Sequence, residues 1–534
     1  MIFRSPYPDV TVPEVGLPEF LFGELTAEDA ERVAIVDATT GESYRYGGLV
    51  EGVGRVAGAL GARGIGRGDV AALFAPNCAA YPLAFHGILS AGAAASPVNA
   101  LYTPADLAHQ LRDAGARILF SWPGGLERAR AAVAEPGVQV AEIVVIGDPV
   151  PGQGPVPETR LADLLASHAP APRVAVDGED LAALPYSSGT TGLPKGVQLT
   201  HRNLVANVLQ MHPVIRIRPG SRLLTAVPLF HIYGLTGIMN AALLYRSCVV
   251  TMPRFDLAGF LAAIAEHRAD HVFIAPPVAL ALANHPLVDA YDMSSVEIVM
   301  SAAAHLDTAL ARRVEDRLGA TVVQAYGLTE SSPGTHGIPV DRPDLDRGSI
   351  GLPMPNVEAR VVDPGTGEDA AVGERGKLWC RGPNIMRGYL NNPGATVAAV
   401  DEEGWLHTGD LVTVDADGAF HVVDRLKELI KYKGYQVAPA ELEAVLLTHD
   451  GVDDAAVVGV RDRDGEEIPK AFVVRAAISP DLDADAVMAF VAAQVAPYKK
   501  VRAVEFVDTI PKSAAGKILR KELRAREAAR VVTA

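Results

Sequence analysis

The stretch from Val70 to Pro104 contains no Asp, Glu, Lys or Arg, and this constrains the fold more than any other feature. A run of this length raises the question of a membrane helix, but Pro76, Pro82 and Pro97 interrupt it. We predict a buried strand, helix and strand instead, with strands at 70–74 and 93–98 and a crossover helix at 80–92. Both faces of the sheet that holds these strands should be covered.

The same alternation of short apolar strands and helical stretches recurs along the chain. Strands are predicted at 117–121, 142–146, 249–252, 271–274 and 298–301, with a helix at 257–267. A chain of 534 residues is too long for one core, so we expect an α/β fold of more than one domain.

The pattern of predicted strands and helices changes twice towards the C-terminus. From about residue 345, short strands near 357–362, 376–381 and 421–424 alternate with Gly, Pro and Asp, which indicates a small β-rich subdomain at 345–424. Beyond it, helices at 439–447 and 483–495 alternate with strands starting at Ala455 and Ala471, which indicates an α+β domain. We therefore predict an N-terminal domain at 1–424 and a C-terminal domain at 425–534.

Charge and cysteine content exclude several classes of protein. With 48 basic and 64 acidic residues the net charge is -16, which disfavours nucleic acid and anionic membranes as partners. Cys78, Cys248 and Cys380 are widely separated, so neither a disulfide scaffold nor a zinc site is expected. The first residues contain no signal peptide pattern, and we expect a cytoplasmic enzyme without integral membrane segments.

The segment from Leu184 to Asn203 combines hydroxyls, glycines and one lysine in a pattern suited to a polyphosphate. It differs from a Walker loop because Lys195 is followed by Gly196 rather than by Ser or Thr. A polar surface turn is the plain alternative, but the order S-S-G-T-T-G-L-P-K-G is too specific for it. The candidate phosphate ligands are Ser187, Ser188, Gly189, Thr190, Thr191, Gly192 and Lys195.

Further motifs carry residues suited to nucleotide and carboxylate chemistry. Those at 230–234, 324–330, 405–410, 424–436 and 511–520 read F-H-I-Y-G, Q-A-Y-G-L-T-E, W-L-H-T-G-D, D-R-L-K-E-L-I-K-Y-K-G-Y-Q and P-K-S-A-A-G-K-I-L-R. Tyr326 offers a face for a base, and the Glu330 carboxylate suits Mg²⁺. Asp410 is placed to accept the hydroxyls of a ribose, and Lys517 supplies a cation in a turn before a helix. Taken singly, each motif has a bland structural explanation.

In this order the motifs resemble those of the adenylate-forming superfamily, which includes acyl-CoA synthetases, amino-acid adenylation domains and luciferases. Within it the chain is most similar to 4-coumarate:CoA ligases, from about residue 20 to 525. The resemblance implies an N-terminal domain of two α/β subdomains plus the β-rich subdomain, followed by a mobile C-terminal lid. It implies that ATP, Mg²⁺ and CoA are used to convert an acid to its CoA thioester through an acyl-adenylate.

The resemblance also assigns roles to residues. Lys517, His231, Lys431 and Gln436 would be catalytic, Lys433 and Gly434 would contact CoA, and Lys427 would be the hinge. Mg²⁺ would be held by Glu330, with Thr190. Besides the phosphate ligands above, ATP or AMP would contact Gln324, Ala325, Tyr326, Gly327, Thr329, Asp410 and Arg425.

The acid pocket implied by the resemblance is almost wholly apolar. Its wall would comprise His231, Tyr233, Gly234, Gly237, Met300, Ala302, Ala303, Gly327, Pro333 and Gly334. Only Tyr233 offers a partner for a phenolic hydroxyl, and the glycines at 234, 237 and 334 are expected to leave room for a longer tail. Cinnamate-type acids and medium-chain fatty acids both fit this wall.

The same motifs raise four alternative functions. An amino-acid-activating domain is disfavoured because the 230–234 segment has no acid to pair with an ammonium group. A fatty acyl- or aryl-AMP ligase that loads an acyl-carrier protein, and a luciferase-like oxygenase, stay open as alternatives. A non-catalytic nucleotide-binding protein is disfavoured because Lys517 and Glu330 are both present.

Overall fold

The computed structural model describes residues 1–187, 194–425, 428–433, 435–462, 466–514 and 516–533, with the backbone alone at 425, 435, 436 and 528–533. The chain divides into two compact units. The larger unit contains Ile2–Ala359 and Cys380–Leu406, and the smaller unit contains Met1, Arg360–Trp379 and His407–Ala534. The domain boundary near 424 stays a prediction.

The first sheet of the larger unit has nine strands and a parallel centre. Its order is Tyr186–Ser187, Lys195–Thr200, Leu181–Ala183, Ala94–Val98, Val70–Phe74, Ala116–Ser121, Glu142–Val145 and Glu158–Arg160, with Gly388–Tyr389 also paired to Lys195–Thr200.

The uncharged stretch forms a strand, a helix and a strand, as predicted, and its two strands lie in the middle of this sheet. Strand Val70–Phe74, helix Tyr81–Ser90 and strand Ala94–Val98 follow one another, and the two strands are parallel neighbours. Leu73 packs with the apolar cluster that contains Leu83, whereas Phe74 packs with the cluster that contains Leu107. Because alternate side chains enter two different cores, no position on the strand tolerates a charge.

The second sheet of the larger unit also has nine strands. Its order is Leu352–Pro353, Gly334–Gly337, Thr321–Gly327, Ile298–Ser301, His271–Ile274, Arg222–Thr225, Cys248–Thr251, Val33–Asp37 and Ser43–Arg45. The six strands from Thr321–Gly327 to Val33–Asp37 are parallel. This confirms the predicted α/β class, and it places the carboxyl ends of these strands, where α/β enzymes usually bind ligands, along one edge.

Helices cover both sheets. In the larger unit they are Leu17–Phe22, Ala27–Glu31, Tyr46–Ala62, Tyr81–Ser90, Pro104–Ala114, Leu126–Val133, Leu161–Leu165, His201–Gln210, His212–Ile215, Ala241–Leu244, Leu257–His267, Pro276–Asn284, Thr308–Leu318 and Pro393–Ala399. Short 3₁₀ turns occupy Pro123–Gly125, Pro286–Ala290 and Thr329–Ser331, a π-helix occupies Tyr233–Asn240, and a short strand lies at Phe3–Arg4.

Local sequence sets where a helix begins and ends, as the helix Pro104–Ala114 illustrates. The Thr103 hydroxyl accepts a hydrogen bond from the Asp106 N–H, and the Asp106 carboxylate accepts one from the Thr103 N–H. Pro104 occupies the first turn, where no amide hydrogen is needed. Gly115 ends the helix with φ of 61°, a conformation that favours glycine.

The smaller unit contains three sheets. The strands Glu358–Val362, Gly376–Arg381, Leu406–Val414 and Phe420–Arg425 lie side by side in this order. Ile430–Tyr432 and Tyr435–Val437 form a hairpin, and Val452–Arg461, Glu467–Arg475 and Ala503–Phe506 form the third sheet.

Three helices accompany these strands, at Pro439–Leu446, Ala484–Ala492 and Arg520–Thr533, with a 3₁₀ turn at Pro497–Lys499. The first two agree with the helices predicted at 439–447 and 483–495 to within a few residues. Leu442 and Val491 pack with Val457 and Val473 in one apolar cluster, so these helices cover the third sheet.

Candidate active site

The predicted phosphate segment lies at the edge of the first sheet. Its first described strand, Tyr186–Ser187, is antiparallel to Lys195–Thr200, and Ser187 lies directly opposite Lys195. The Ser187 hydroxyl is buried and has no hydrogen-bond partner among the described residues. A buried hydroxyl of this kind is suited to a ligand oxygen. Ser188, Gly189, Thr190, Thr191 and Gly192 lie outside the described residues.

The turn after strand Thr321–Gly327 brings the Q-A-Y-G-L-T-E motif back on itself. The strand pairs with Gly334–Gly337, and Gly327 lies opposite Gly334. A Cβ atom at Gly327 would lie 1.8 Å from the Pro333 carbonyl oxygen, so only glycine fits there. The tight return presents Thr329 and Glu330 on a 3₁₀ turn.

Gln324 has a structural role in this arrangement. Its side-chain oxygen accepts the Leu306 N–H at 2.9 Å, and its amide nitrogen donates to the carbonyls of Leu306 and Arg347. Both amide hydrogens are therefore used. Gln324 links the 302–306 loop to the strand, and its amide hydrogens are not available to a nucleotide.

A segment at 383–390, which contains none of the predicted site residues, joins the two predicted ATP motifs. The Asn203 amide donates to the carbonyls of Pro383 and Ile385, at 2.8 and 2.9 Å. The Asn384 amide donates to the carbonyls of Ser331 and Gly334, each at 2.9 Å.

Tyr389 in this segment contacts the side chains of both motifs. Its hydroxyl donates to Glu330 Oε1 at 2.7 Å, and the Lys195 Nζ lies 3.9 Å from its ring centroid. Burial, together with the charge of Glu330, raises the pKa of Tyr389, so the phenol stays protonated and donates. A single tyrosine after a glycine carries no sequence signal, and only its neighbours in space identify it.

The predicted acid pocket lies around the π-helix Tyr233–Asn240. His231 lies two residues before the first residue of this helix, and its Nδ1 accepts the Tyr233 N–H at 3.3 Å. Tyr233 is buried and donates its hydroxyl to the Met300 carbonyl at 3.2 Å, which brings two predicted wall residues together. Burial raises the pKa of Tyr233, so its hydroxyl is neutral.

The structure bears on two expectations about the pocket wall, and the first of them is wrong. The space beside Gly234 is filled by protein, because a Cβ there would lie 2.2 Å from the Pro228 carbonyl oxygen. Room for a longer substrate therefore does not arise at Gly234. The Tyr233 hydroxyl, expected as a partner for a phenolic substrate, donates its hydrogen to the Met300 carbonyl, so it could only accept a hydrogen bond from such a substrate.

Four other predicted wall residues are closely packed, buried or in an unusual backbone conformation. A Cβ at Gly237 would lie 3.2 Å from the Tyr233 ring, and one at Gly334 would lie 3.0 Å from the Met354 sulfur. Ala302 is buried, and Ala303 has φ of 74°, in the left-handed region that favours glycine.

In the smaller unit, Asp410 and Arg425 are direct cross-strand neighbours. They face each other in the register of Leu406–Val414 and Phe420–Arg425, and Asp410 is buried. Gly409 precedes Asp410 with φ of 79°, which lets the strand bend there. The backbones of the two predicted ribose ligands therefore lie side by side on adjacent strands.

The predicted lysines of the smaller unit lie on turns and short strands. Lys431 is exposed in strand Ile430–Tyr432, opposite Gln436, and Lys433 follows with φ of 46°. Lys517 closes a turn in which its N–H donates to the Ser513 hydroxyl and its carbonyl accepts the Ser513 N–H. Helix Arg520–Thr533 follows, as predicted. Lys427, Gly434 and the side chains of Arg425 and Gln436 lie outside the described residues.

No three His, Cys, Asp or Glu side chains converge into a metal site within the described parts of the chain. Over the same residues, every helix is too short or too polar to cross a bilayer.

Known proteins are similar to this chain over almost its whole length. A family described as AMP-binding enzyme matches residues 23–390, and its C-terminal domain matches residues 441–517. The chain is 39% identical to 4-coumarate--CoA ligase 3 of Oryza sativa subsp. japonica, over 99% of this chain and 95% of that protein.

Two solved structures show the same likeness. ATP-bound MatB from Rhodopseudomonas palustris is 30% identical with a TM-score of 0.84, covering 96% of this chain and 99% of that one. The anthranilate CoA ligase AuaEII in complex with anthranoyl-AMP is 27% identical with a TM-score of 0.87, covering 98% of this chain and 99% of that one.

Proposed function

The chain belongs to the AMP-binding enzyme family, and on this premise we propose that it activates a carboxylic acid with ATP and passes the acyl group to the thiol of CoA. It is an AMP-forming acid–CoA ligase that works through an acyl-adenylate, and its acid is aromatic or otherwise apolar.

One observation within the larger unit supports this function most directly. The lysine at the start of strand Lys195–Thr200 and the carboxylate on turn Thr329–Ser331 both contact Tyr389. A cation suited to phosphate and an acid suited to a divalent ion are therefore neighbours, beside the buried hydroxyl of Ser187. This is the local chemistry that a metal–nucleotide complex requires.

In the first half-reaction, an oxygen of the acid attacks the α-phosphorus of ATP, and the bond to the β-phosphate oxygen breaks to release pyrophosphate. Lys195 and Ser187 hold the β- and γ-phosphates, and Asp410 with Arg425 holds the ribose. Lys517 neutralises the charge that builds between the carboxylate and the α-phosphate. Thr329 donates to phosphate, and Tyr326 flanks the adenine.

The residues present fit a magnesium ion brought in with ATP. Mg²⁺ is usually held by one or two carboxylates plus substrate phosphates rather than by a protein cage. Glu330 supplies one such carboxylate, and the described residues contain no three-ligand cluster. Tyr389 bonds to one of its oxygens, which leaves the other for the metal. When bound, Mg²⁺ neutralises phosphate charge and stabilises the departing pyrophosphate.

In the second half-reaction, the sulfur of CoA attacks the acyl carbon, the bond to the AMP oxygen breaks, and the thiol proton is lost. Lys433 and Gly434 contact CoA, whereas Lys431 and Gln436 serve the adenylate. Lys427 is the hinge residue for the change from the first half-reaction to the second.

The pocket supports an acid recognised by shape rather than by a hydroxyl group. Tyr233 is engaged with Met300, and the other wall residues are apolar or glycine apart from His231. A site that selects a hydroxyl needs a buried polar group that is left unpaired without it. Cinnamate-type acids and medium-chain fatty acids both meet this description.

The test separates the two half-reactions. Exchange of radiolabelled pyrophosphate into ATP is measured with a panel of cinnamates, benzoates and fatty acids of graded length, and CoA consumption is measured beside it. Lys517→Ala should reduce exchange by about 100-fold or more, the typical effect of removing a group that stabilises transition-state charge. Thioester formation from supplied acyl-adenylate should persist.

Lys521→Ala is the matched control, because Lys521 is exposed and lies four residues further along. Normal exchange in the Lys517 variant would refute its role in the first step. Adenylation of an acid without thioester formation would favour a carrier protein as acceptor and refute the CoA ligase.

A further inference from the structure

Tyr389 contacts two oppositely charged side chains with different parts of its own side chain. The phenol hydroxyl at the ring edge donates to Glu330 Oε1 at 2.7 Å. The ring face lies 3.9 Å from the Lys195 ammonium, measured to the centroid. The tyrosine therefore contacts both a proposed magnesium ligand and a proposed phosphate ligand.

The hydrogen bond orients the carboxylate. A side chain on a short turn such as Thr329–Ser331 has several rotamers, and a neutral donor bonded to one oxygen selects among them. Groups that orient a metal ligand in this way usually affect metal affinity although they never contact the metal.

The ring holds the ammonium in a different way. A lysine side chain has high conformational entropy, and an aromatic face attracts its charged end without consuming any of its three hydrogens. Among the described residues no ion pair joins Lys195 to a carboxylate, so no acid of the chain competes with a ligand for its ammonium group.

The backbone fixes Tyr389 in this position. Tyr389 pairs with Val197, the Leu390 N–H donates to the Gly196 carbonyl at 2.8 Å, and the Met386 N–H donates to the Glu330 carbonyl at 2.9 Å. The tyrosine is thus attached to the lysine strand on one side and to the glutamate turn on the other.

We propose that Tyr389 is a positioning residue for the magnesium–ATP complex. Its hydroxyl orients the Glu330 carboxylate for the metal, and its ring holds the Lys195 ammonium in position to bind phosphate. The inference rests on the proposed function, which supplies the roles of Glu330 and Lys195. Its distinctive consequence is that the two halves of the side chain have separable effects.

Two variants separate them. Tyr389→Phe keeps the ring and removes the hydroxyl, whereas Tyr389→Leu removes both. Tyr44→Phe is the matched control, because the Tyr44 hydroxyl also donates to a glutamate, Glu42, at 3.1 Å, on a strand at the far edge of the second sheet. Binding of a fluorescent ATP analogue is titrated in Mg²⁺ and in EDTA, and pyrophosphate exchange is measured against Mg²⁺ concentration.

For Tyr389→Phe, the Mg²⁺ concentration needed for half-maximal binding and exchange should rise about 10- to 100-fold, with unchanged binding in EDTA. For Tyr389→Leu, binding in EDTA should also weaken, by about 2- to 30-fold, because the cation–π contact is lost. Tyr44→Phe should leave both quantities at their wild-type values, and thermal unfolding of all variants checks the fold.

An unchanged Mg²⁺ requirement in Tyr389→Phe would overturn the proposal, as would an equal loss in Mg²⁺ and EDTA, which is what a purely structural role produces. The binding titration needs no acid substrate, so it tests Tyr389 even when no acid in the panel is activated. A wild-type protein that bound no magnesium–ATP would overturn both the inference and the proposed function.

Discussion

A buried arginine with two carboxylates lies just beyond the Lys517 turn. The Arg520 guanidinium bonds to Glu443 and to Glu428, and all three side chains are about 10% exposed, at 11%, 10% and 10%. Glu443 Oε1 also accepts the Val457 N–H at 2.8 Å. The cluster joins helix Pro439–Leu446 and the third sheet to the first residue of helix Arg520–Thr533.

The charges of this cluster depend on one another. Burial raises the pKa of Glu443 despite the opposing effect of Arg520. Burial disfavours the charge on Arg520, but the carboxylates of Glu443, Glu428 and Asp424 outweigh it and raise the pKa of Arg520. Removing the arginine would leave Glu443 buried without a counter-ion, and its pKa would rise further.

Arg520→Met should therefore destabilise this part of the smaller unit strongly at neutral pH. Breaking a buried pair by removing one partner costs about 3–5 kcal/mol, which is a factor of roughly 150 to 5,000 in the local opening constant. The double variant with Glu443→Gln should recover much of the loss, because a neutral amide still accepts the Val457 N–H.

The loss should also depend on pH. Since the pKa of Glu443 in the folded variant lies above its unfolded value of about 4.3, stability is fully present below that value and falls as pH rises through the folded pKa. The destabilisation should thus be smaller at pH 5 than at pH 8.

Hydrogen exchange read by mass spectrometry, on peptides from 439–446 and 520–527, measures the local opening directly. Arg526→Met is the control on the same helix, because its bond to Glu505 is exposed, with 48% of the arginine side chain accessible, and should contribute less than about 1 kcal/mol. Equal exchange in the Arg520 and Arg526 variants, or a loss that did not change between pH 5 and pH 8, would refute the reasoning.

Two further predictions concern the larger unit. Gly327→Ala should lower stability by about 1–3 kcal/mol and weaken magnesium–ATP binding, because the new Cβ would meet the Pro333 carbonyl and displace the turn that carries Glu330. Gly48→Ala, in open space on helix Tyr46–Ala62, is the control and should be neutral or stabilising, so equal melting temperatures for the two variants would contradict the clash. Tyr233→Phe should lower stability by about 1 kcal/mol and leave the ratio of kcat/KM for cinnamate and 4-coumarate unchanged, because its hydroxyl serves Met300 rather than the substrate. A tenfold change in that ratio would show that the hydroxyl contacts the acid.

The sequence predicted several secondary-structure elements and several candidate site residues, because the patterns that indicate them are local. The uncharged run at 70–104 forms a strand, a helix and a strand. A strand covered on both faces has no position for a charged side chain, so its burial can be predicted without knowing which elements cover it. The helix at 257–267 has its predicted bounds. The motif residues Lys195, Glu330, Asp410 and Lys517 could be named because their side chains suit nucleotide chemistry and because the order of their motifs resembles that of one family.

Only the tertiary structure decided which groups meet. Tyr389 lies nearly two hundred residues from Lys195 in the chain and 59 residues from Glu330, yet it contacts both. The Tyr233 hydroxyl is engaged with Met300, Gly234 is required by Pro228, and the Gln324 amide is used by Leu306 and Arg347. A hydrogen bond needs a partner within about 3 Å, and packing between elements far apart in sequence sets that distance. Pattern along the chain thus determined which side chains have useful chemistry, and packing determined which of them remain available for a ligand.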